Sequence, residues 1–244
     1  MKPEKTGRRC VLILLILLAA VFFLSFLLGR YRVSALQTAR LLADRALSGV
    51  SRGHLRLAPT WTPEEASVVI QIRLPRILSA ALIGAALSAA GASYQAMFRN
   101  PMVSPDLLGA STGACFGAAL ALILNGGLVA VQLTAMAFGV VAMLITYKAG
   151  KNRRETSIIM LVLAGMVVNS LFQAFVSLIK YTADSEDKLP EITYWLLGSL
   201  NGATWKGLRL GMPVILAGTL VLIMLRSRTM KRALSAWISK RSAH

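Results

Sequence analysis

The sequence predicts an all-α fold, a polytopic bundle of about six transmembrane helices. Hydrophobic residues make up 56% of the 244 residues and charged residues only 15%, with a mean hydropathy of +0.64, which is far from the composition of ordinary soluble domains. Uncharged segments long enough to cross a bilayer recur along the chain. The basic residues behind the net charge of +17 lie between those segments. Membrane topology explains that placement better than nucleic-acid binding does, so we expect no nucleic-acid partner.

The predicted transmembrane domain covers residues 1–225, and a basic tail follows at residues 226–244. Residues 77–98 illustrate one span, because 22 uncharged residues at a rise of 1.5 Å reach across a hydrocarbon layer of about 30 Å. Pro213 is expected to kink the last span. The six predicted spans are residues 11–29, 77–98, 106–124, 128–147, 158–179 and 208–225.

The first apolar run, residues 11–29, follows several basic residues and therefore also fits a signal peptide. The run is long, however, and no small-x-small cleavage site follows it before Arg30. We therefore predict a retained span. Cys10 precedes this span and Cys115 lies inside a later one, so we predict no disulfide between them and two inert thiols.

An arginine-rich polar connection, residues 31–72, leads to the second span. Within it, Thr62 is predicted to cap a short helix that has Pro63 at its first position. His54 has no second His or Cys nearby, so we predict a solvated side chain rather than a metal ligand.

Arg73 and Arg76 flank Pro75 where the second span is predicted to start. The positive end of a helix dipole makes a cation there unfavourable by roughly 0.3–1 kcal/mol. We therefore expect an anion to meet the pair. Carboxylates of a partner and phosphates of the lipid are the two alternatives.

Small residues and a rigid turn organise the second and third spans. Residues 99–101 are predicted to end one helix, and Ser104, followed by Pro105, to cap the next. Glycines in these spans allow helix backbones to approach closely, although stripes of small residues occur in any membrane bundle. The predicted packing residues are Gly84, Gly91, Gly109, Gly113 and Gly117.

The later connections bear on orientation. A tight turn at residues 125–127 leads into the fourth span, a basic loop follows at residues 148–154, and an acidic loop occupies residues 181–190. Residues 191–200 are too few to cross and are placed at the membrane interface. Lysines and arginines show a weak majority on the N-terminal side of the membrane, so we predict a cytoplasmic N-terminus.

The spans carry little chemistry. No ionisable residue lies near the middle of a predicted span, which argues against a proton- or sodium-coupled carrier. The chain has no G-x-x-x-x-G-K-[ST] phosphate loop, so it cannot bind ATP by that route, and we expect the energy to come from elsewhere. The letters G-x-S-x-G occur at residues 109–113, but a nucleophile elbow needs a strand-to-helix turn and a histidine base. We predict no catalytic residue, no metal site and no cofactor.

Three amides are the notable polar groups of the predicted bilayer region. Gln95 lies near the end of the second span, and Asn169 and Gln173 lie one turn apart on the fifth. They fit either a hydrated translocation pathway or hydrogen bonds between helices. For Gln95 we favour the hydrogen bond, and for Asn169 and Gln173 the residues alone leave both open.

Residues 72–118, IRLPRILSAALIGAALSAAGASYQAMFRNPMVSPDLLGASTGACFGA, resemble the signature region of the FecCD-type permeases. These are the membrane subunits of ABC importers for iron-siderophores, haem and vitamin B12. The resemblance implies a transport subunit, not an enzyme, that translocates ferric siderophore or a related metal chelate across the cell membrane. The implied partners are an ATP-binding subunit, an external or periplasmic substrate-binding protein, a second permease subunit and membrane lipid.

Two sets of site residues follow from this resemblance. The arginines of RLPR, Arg73 and Arg76, would dock carboxylates of the binding protein, and the fifth span, with Asn169 and Gln173, would line the pathway. The resemblance also implies about ten spans, whereas six are predicted here. The final residues, AWISKRSAH, depart from the family pattern, so the alternative expectation is a truncated remnant or a membrane scaffold without transport activity.

Overall fold

The computed structural model describes residues 3–50, 60–98, 100–151 and 158–241. Those ranges hold helices and turns and no strand, so the all-α prediction is confirmed for them. His54, Arg99 and residues 152–154 of the basic loop lie outside the described residues. The helices are α1 (Pro3–Leu27), α2 (Ala35–Val50), α3 (Pro63–Ser67), α4 (Leu74–Phe98), α5 (Ala110–Ile123), α6 (Leu128–Gly150), α7 (Ile158–Thr182), α8 (Lys188–Leu196) and α9 (Trp205–Arg241), with a π-helical segment at Val68–Arg73 and a 3-10 turn at Pro105–Leu108.

The described chain divides into two compact units. The first unit holds the residues up to 81 together with residues 200–208. Its core lies where the end of α1, helix α2 and the π-helical segment meet, and consists of Phe26, Val33, Leu41 and Val69. The second unit holds residues 82–199 and those from 209 onwards, and α5, α6 and α7 form its centre.

Within the described ranges, five helical stretches are long and apolar enough to cross a membrane: Gly7–Leu27, Pro63–Phe98, Leu128–Gly150, Ile158–Thr182 and Trp205–Met224. The predicted third span differs, because α5 has only 14 residues, or about 21 Å of helix. The preceding 3-10 turn of 4 residues is separated from α5 by Gly109 in the left-handed conformation. Helix α5 alone is therefore shorter than the roughly 30 Å of a hydrocarbon layer.

The helix that contains the second predicted span begins earlier than expected. Thr62 caps α3 as predicted, with Pro63 in the first turn. The Thr62 hydroxyl accepts a hydrogen bond from the Glu65 N–H at 3.2 Å, and the Glu65 carboxylate accepts one from the Thr62 N–H at 2.9 Å. From Pro63 the helix continues without a break to Phe98. Arg73 and Arg76 therefore do not lie at the positive end of a helix dipole as predicted, since both are well beyond the first turn, where the dipole has little effect.

A π-helical segment brings this long helix past Pro75. Proline has no N–H to donate and crowds the carbonyl four residues earlier. In the structure the Leu74 N–H reaches the Val69 carbonyl, five residues back, which is the hydrogen bond of a π-turn. Arg73 is the last residue of this widened turn.

In the second unit, α5 packs between α6 and α7 around Phe116. Its ring meets Phe138 of α6 edge-on at 4.8 Å between centroids and lies 5.7 Å from Phe172 of α7. Helix α8 has nine residues, too few to cross, and buries Ile192 against α5. Helix α9 continues as far as Arg241, so most of the predicted tail has a helical backbone.

Candidate functional site

Arg73 holds the C-terminal end of α1. Its Nη1 donates to the carbonyl of Phe26 and its Nη2 to that of Tyr31. The last carbonyls of a helix have no partner within the helix, and a cation is favourable at that end. Arg73 is only 7% exposed, so the guanidinium acts as a buried cap for α1.

Gly29 makes room for this cap. A Cβ at position 29 would lie 2.6 Å from Nη2 of Arg73 and 3.0 Å from its Cζ, closer than van der Waals contact allows. The glycine is therefore needed for the guanidinium to reach both carbonyls. Gly29 was not among the predicted site residues, although a glycine just after an apolar helix is a common C-terminal signal.

Arg76 makes a second tie within the same unit. Its Nε donates to the Leu200 carbonyl at 3.1 Å and its Nη2 to the Asn201 carbonyl at 3.0 Å, and the side chain is half-buried. Trp205 adds a third tie through its indole Nε1, which donates to the Ile70 carbonyl at 2.9 Å. Residues 70–76, which we call the arginine segment, are thus joined to α1 and to the start of α9.

Neither guanidinium of the arginine segment forms an ion pair with the carboxylates that the structure describes. Their partners are backbone carbonyls, a class of acceptor that the sequence analysis did not consider. Backbone carbonyls cannot be identified from residue type, so no sequence signal pointed to them.

A second polar centre lies at residues 105–112, which we call the α5 turn. The Asn169 side chain of α7 bridges it: Nδ2 donates to the Asp106 carbonyl at 3.2 Å, and Oδ1 accepts from the Thr112 hydroxyl at 2.7 Å. The buried Thr146 of α6 donates its hydroxyl to the Leu108 carbonyl at 3.0 Å. Polar side chains of two neighbouring helices therefore hold the turn that starts α5.

The α5 turn also depends on close backbone contact. Gly165 of α7 lies against the turn so tightly that a Cβ there would come within 1.9 Å of the Leu107 carbonyl oxygen. Gly109 has a φ of +81° and supplies the left-handed residue between the 3-10 turn and α5. Ser104 occupies the N-cap position of the 3-10 turn with Pro105 in its first turn, as predicted, but its side chain makes no capping hydrogen bond.

Ser111, the serine of the G-x-S-x-G letters, donates its hydroxyl to the Asp106 carboxylate. It lies in the first turn of an α-helix that follows a 3-10 turn, not a strand. A nucleophile elbow requires a strand before the serine. The structure around Ser111 therefore lacks the geometry of that motif.

The predicted pathway residues occupy different settings. Asn169 is half-buried in the hydrogen bonds of the α5 turn, whereas Gln173, one turn later on α7, is exposed. Gln95 donates to the Pro101 carbonyl at 3.0 Å, which supports the turn after α4. The contributions of Thr112, Thr146 and Gly165 were missed, because a threonine or glycine inside an apolar helix gives no sequence signal of its partner.

The predicted packing glycines also differ from one another. A Cβ at Gly113 would lie 2.5 Å from the Phe138 carbonyl oxygen, and one at Gly117 would lie 2.3 Å from that of Thr134, so α5 and α6 touch at both. At Gly84 and Gly91 of α4, no described atom lies within 4 Å of the added Cβ. No close contact is therefore present at those two glycines within the described residues.

Comparison with known proteins shows which family and which permeases this chain is similar to. The FecCD transport family matches residues 16–236. The molybdate import system permease protein of Haemophilus influenzae is 34% identical over 212 residues, covering 86% of this chain and 59% of that protein. The ferric enterobactin transport system permease protein of Escherichia coli is 40% identical over 151 residues, covering 61% and 45%. This chain spans about half the length of the curated relatives it matches.

A solved structure agrees with the fold. It is described as an inward-facing conformation of a metal-chelate type ABC transporter, and its chain superposes with a TM-score of 0.71 at 31% identity. The superposition covers 89% of the present chain and 62% of the other. Because the family match takes in most of the sequence and the helical membrane architecture agrees with this relative, the chain belongs to the FecCD transport family.

Proposed function

We propose that this chain forms part of the membrane-spanning permease subunit of an ABC importer. The observation that carries the proposal is the family match over residues 16–236. A separate ATP-binding subunit would supply the energy, since the sequence has no phosphate loop of its own. The permease would pair with a second, identical or similar permease subunit in the cell membrane.

The substrate class that we propose is a ferric siderophore or a related metal chelate. A relative transports ferric enterobactin, others import cobalamin or molybdate, and the solved relative is of the metal-chelate type. We propose that the chelate passes along α7, where Gln173 exposes its amide and Asn169 lies one turn away.

An external binding protein would deliver the chelate to the arginine segment. With a cytoplasmic N-terminus, α1 ends on the external side, and Arg73 holds that end. Arg76 is half-buried and therefore keeps part of its side chain accessible. Close charge pairs at protein interfaces have coupling free energies of roughly 1.5–7 kcal/mol. A contact between Arg76 and a carboxylate of the binding protein would therefore stabilise the docked complex substantially.

Uptake into proteoliposomes tests the proposal. The importer that contains this chain is reconstituted with its ATPase and binding protein, and uptake of ferric enterobactin, cobalamin and molybdate is measured in parallel. We expect ATP-dependent accumulation of an iron chelate. The matched control carries an ATPase that binds but does not hydrolyse ATP. Accumulation of cobalamin or molybdate alone would contradict the proposed substrate class. The absence of any ATP-dependent uptake would favour a membrane scaffold without transport activity.

A further inference from the structure

Helix α2 turns an apolar face outwards. Residues 36, 39, 43 and 47 recur at spacings of three and four, so they share one side of the helix. Leu36 is 62% exposed and Leu47 is 41% exposed, and the two alanines between them are exposed as well. In a globular protein the apolar face of a surface helix normally packs on the core. We call these four residues the outer face of α2.

The opposite side of α2 joins the helix to the end of α1. Leu41 is buried in one hydrophobic cluster with Phe26, Val33 and Val69. Phe26 lies one residue before the end of the candidate membrane span Gly7–Leu27. This packing therefore fixes the middle of α2 at the level where α1 leaves the hydrocarbon layer.

The residue types around α2 are those that favour the surface of a membrane. Tyr31 is exposed and Trp61 packs against the same cluster, and aromatic residues of this kind are enriched where a membrane meets water. Arg30 and Arg32, between α1 and α2, are exposed, and so is Arg40, beside the outer face. Arginine can lay its methylene groups along an apolar surface while its guanidinium donates to a phosphate.

The adjoining surface of α1 identifies what covers the outer face. Most of the large apolar side chains of α1 from Val11 to Leu24 are exposed, and in a membrane protein lipid chains cover such a surface. Because α2 packs against the end of this span, its outer face extends the same apolar surface to the level of the phosphates. A bilayer with anionic lipid offers both the acyl chains that the leucines need and the phosphates that the arginines need.

We propose that α2 is an interfacial helix, whose outer face enters the membrane surface beside α1 and whose Arg40 binds lipid phosphate. The proposal rests on the membrane location of the chain, and it depends neither on the transported substrate nor on which side of the membrane α1 ends. In this role α2 fixes the height of the arginine segment in the membrane, because Ile70 packs against the cluster that contains Leu41.

Site-directed spin labelling of the full chain in vesicles tests this location. Cys10 and Cys115 are replaced by alanine, and a nitroxide is attached to a single cysteine in Leu36→Cys, Ala43→Cys or Leu47→Cys. Electron paramagnetic resonance then compares collisions of the nitroxide with oxygen, which concentrates in acyl chains, and with a water-soluble nickel chelate. The vesicles contain phosphatidylcholine and phosphatidylglycerol in equal amounts.

Two further labels calibrate the depth. Leu17→Cys lies within the α1 span, and Arg45→Cys lies on the side of α2 away from the outer face, where the side chain is exposed. The labels at positions 36, 43 and 47 should lie about 5–10 Å into the boundary between headgroups and acyl chains. Their ratio of oxygen to chelate collisions should be several times the ratio at position 45 and lower than the ratio at position 17.

Two results would overturn the proposal. Collision ratios equal to the ratio at position 45 would place the outer face in water. Low collision rates with both reagents would show that protein covers this face, either a second copy of the chain or another subunit. Neither result bears on transport, which the uptake experiment measures separately.

The role of Arg40 is measured by varying the charge of the lipid. The depth of the label at position 36 is compared between vesicles of phosphatidylcholine alone and the mixed vesicles. The label should lie deeper in the mixed vesicles, because anionic lipid attracts basic residues, and Arg40→Gln should reduce this difference by about half or more. Arg40→Lys is the matched control and should preserve the difference, since it keeps the charge. An unchanged difference in Arg40→Gln would overturn the assignment of Arg40 to lipid phosphate.

Discussion

The two regions described above hold helices together by different means. Around the arginine segment, long side chains reach across to backbone carbonyls: Arg73 to the end of α1, Arg76 to residues 200–201, and Trp205 back to Ile70. Around the α5 turn, the backbones themselves touch at Gly113, Gly117 and Gly165. A tie made by a side chain can be replaced in part by another donor, but a contact between backbones leaves no room for any side chain.

The difference also shows why membrane helices use both devices. Lipid chains give apolar helices no hydrophobic reason to associate, so small residues that allow close approach stabilise the interior of a bundle. At the ends of helices, unpaired carbonyls need donors, and arginine supplies several at once. The glycine contacts lie along α5 and at the turn before it, whereas Arg73 caps α1.

The largest effect that this comparison predicts is at Gly165. Gly165→Ala places a Cβ 1.9 Å from the Leu107 carbonyl oxygen, and overpacking of this kind costs roughly 3 kcal/mol. Thermal unfolding in detergent should show a large drop in Tm. Gly84→Ala is the control, since its Cβ meets no described atom within 4 Å and alanine favours a helix by about 1 kcal/mol over glycine. A Tm for Gly165→Ala equal to that of the unsubstituted chain would show that the contact is looser than described.

The region around the α5 turn could be predicted from the sequence better than the region around the arginine segment. Apolar runs and glycine spacing locate α5 and its contacts at Gly113 and Gly117, because close packing of membrane helices leaves a mark in residue size. The start of the helix at Pro63 followed from the predicted Thr62 cap and from Pro63 at the first position, but its continuation through Arg73 did not, because Pro75 suggested a new helix start. The π-turn that resolves the conflict depends on which carbonyl Leu74 reaches, and a sequence does not record that choice.

The next effect concerns the indole tie of the first region. Trp205→Phe keeps an aromatic ring of similar shape but removes the donor to the Ile70 carbonyl, which lies 2.9 Å from Nε1. A hydrogen bond of this type contributes about 1 kcal/mol, so the Tm should fall by less than in Gly165→Ala. A larger fall for Trp205→Phe than for Gly165→Ala would reverse the contrast between the two regions.

The smallest effect is expected from the amide–hydroxyl pair of the α5 turn. Thr112 donates to Asn169 at 2.7 Å, and hydrogen bonds between membrane helices average about 0.6 kcal/mol in double-mutant cycles. Thr112→Val, Asn169→Leu and the double variant define the cycle for the free energy of unfolding. Additive effects would show that the Asp106 carbonyl, not Thr112, is the important partner of Asn169.

The sidedness of α1 tests the central claim that the arginine segment faces the external partner. Cys10 and Tyr31 lie at opposite ends of the α1 span and both are exposed. In a Cys115→Ala background that carries Tyr31→Cys, a membrane-impermeant maleimide is applied to intact and to permeabilised cells. We predict that position 31 is labelled in intact cells and Cys10 only after permeabilisation. Labelling of Cys10 alone in intact cells would place the arginine segment in the cytoplasm and contradict its assignment as the docking face for an external binding protein.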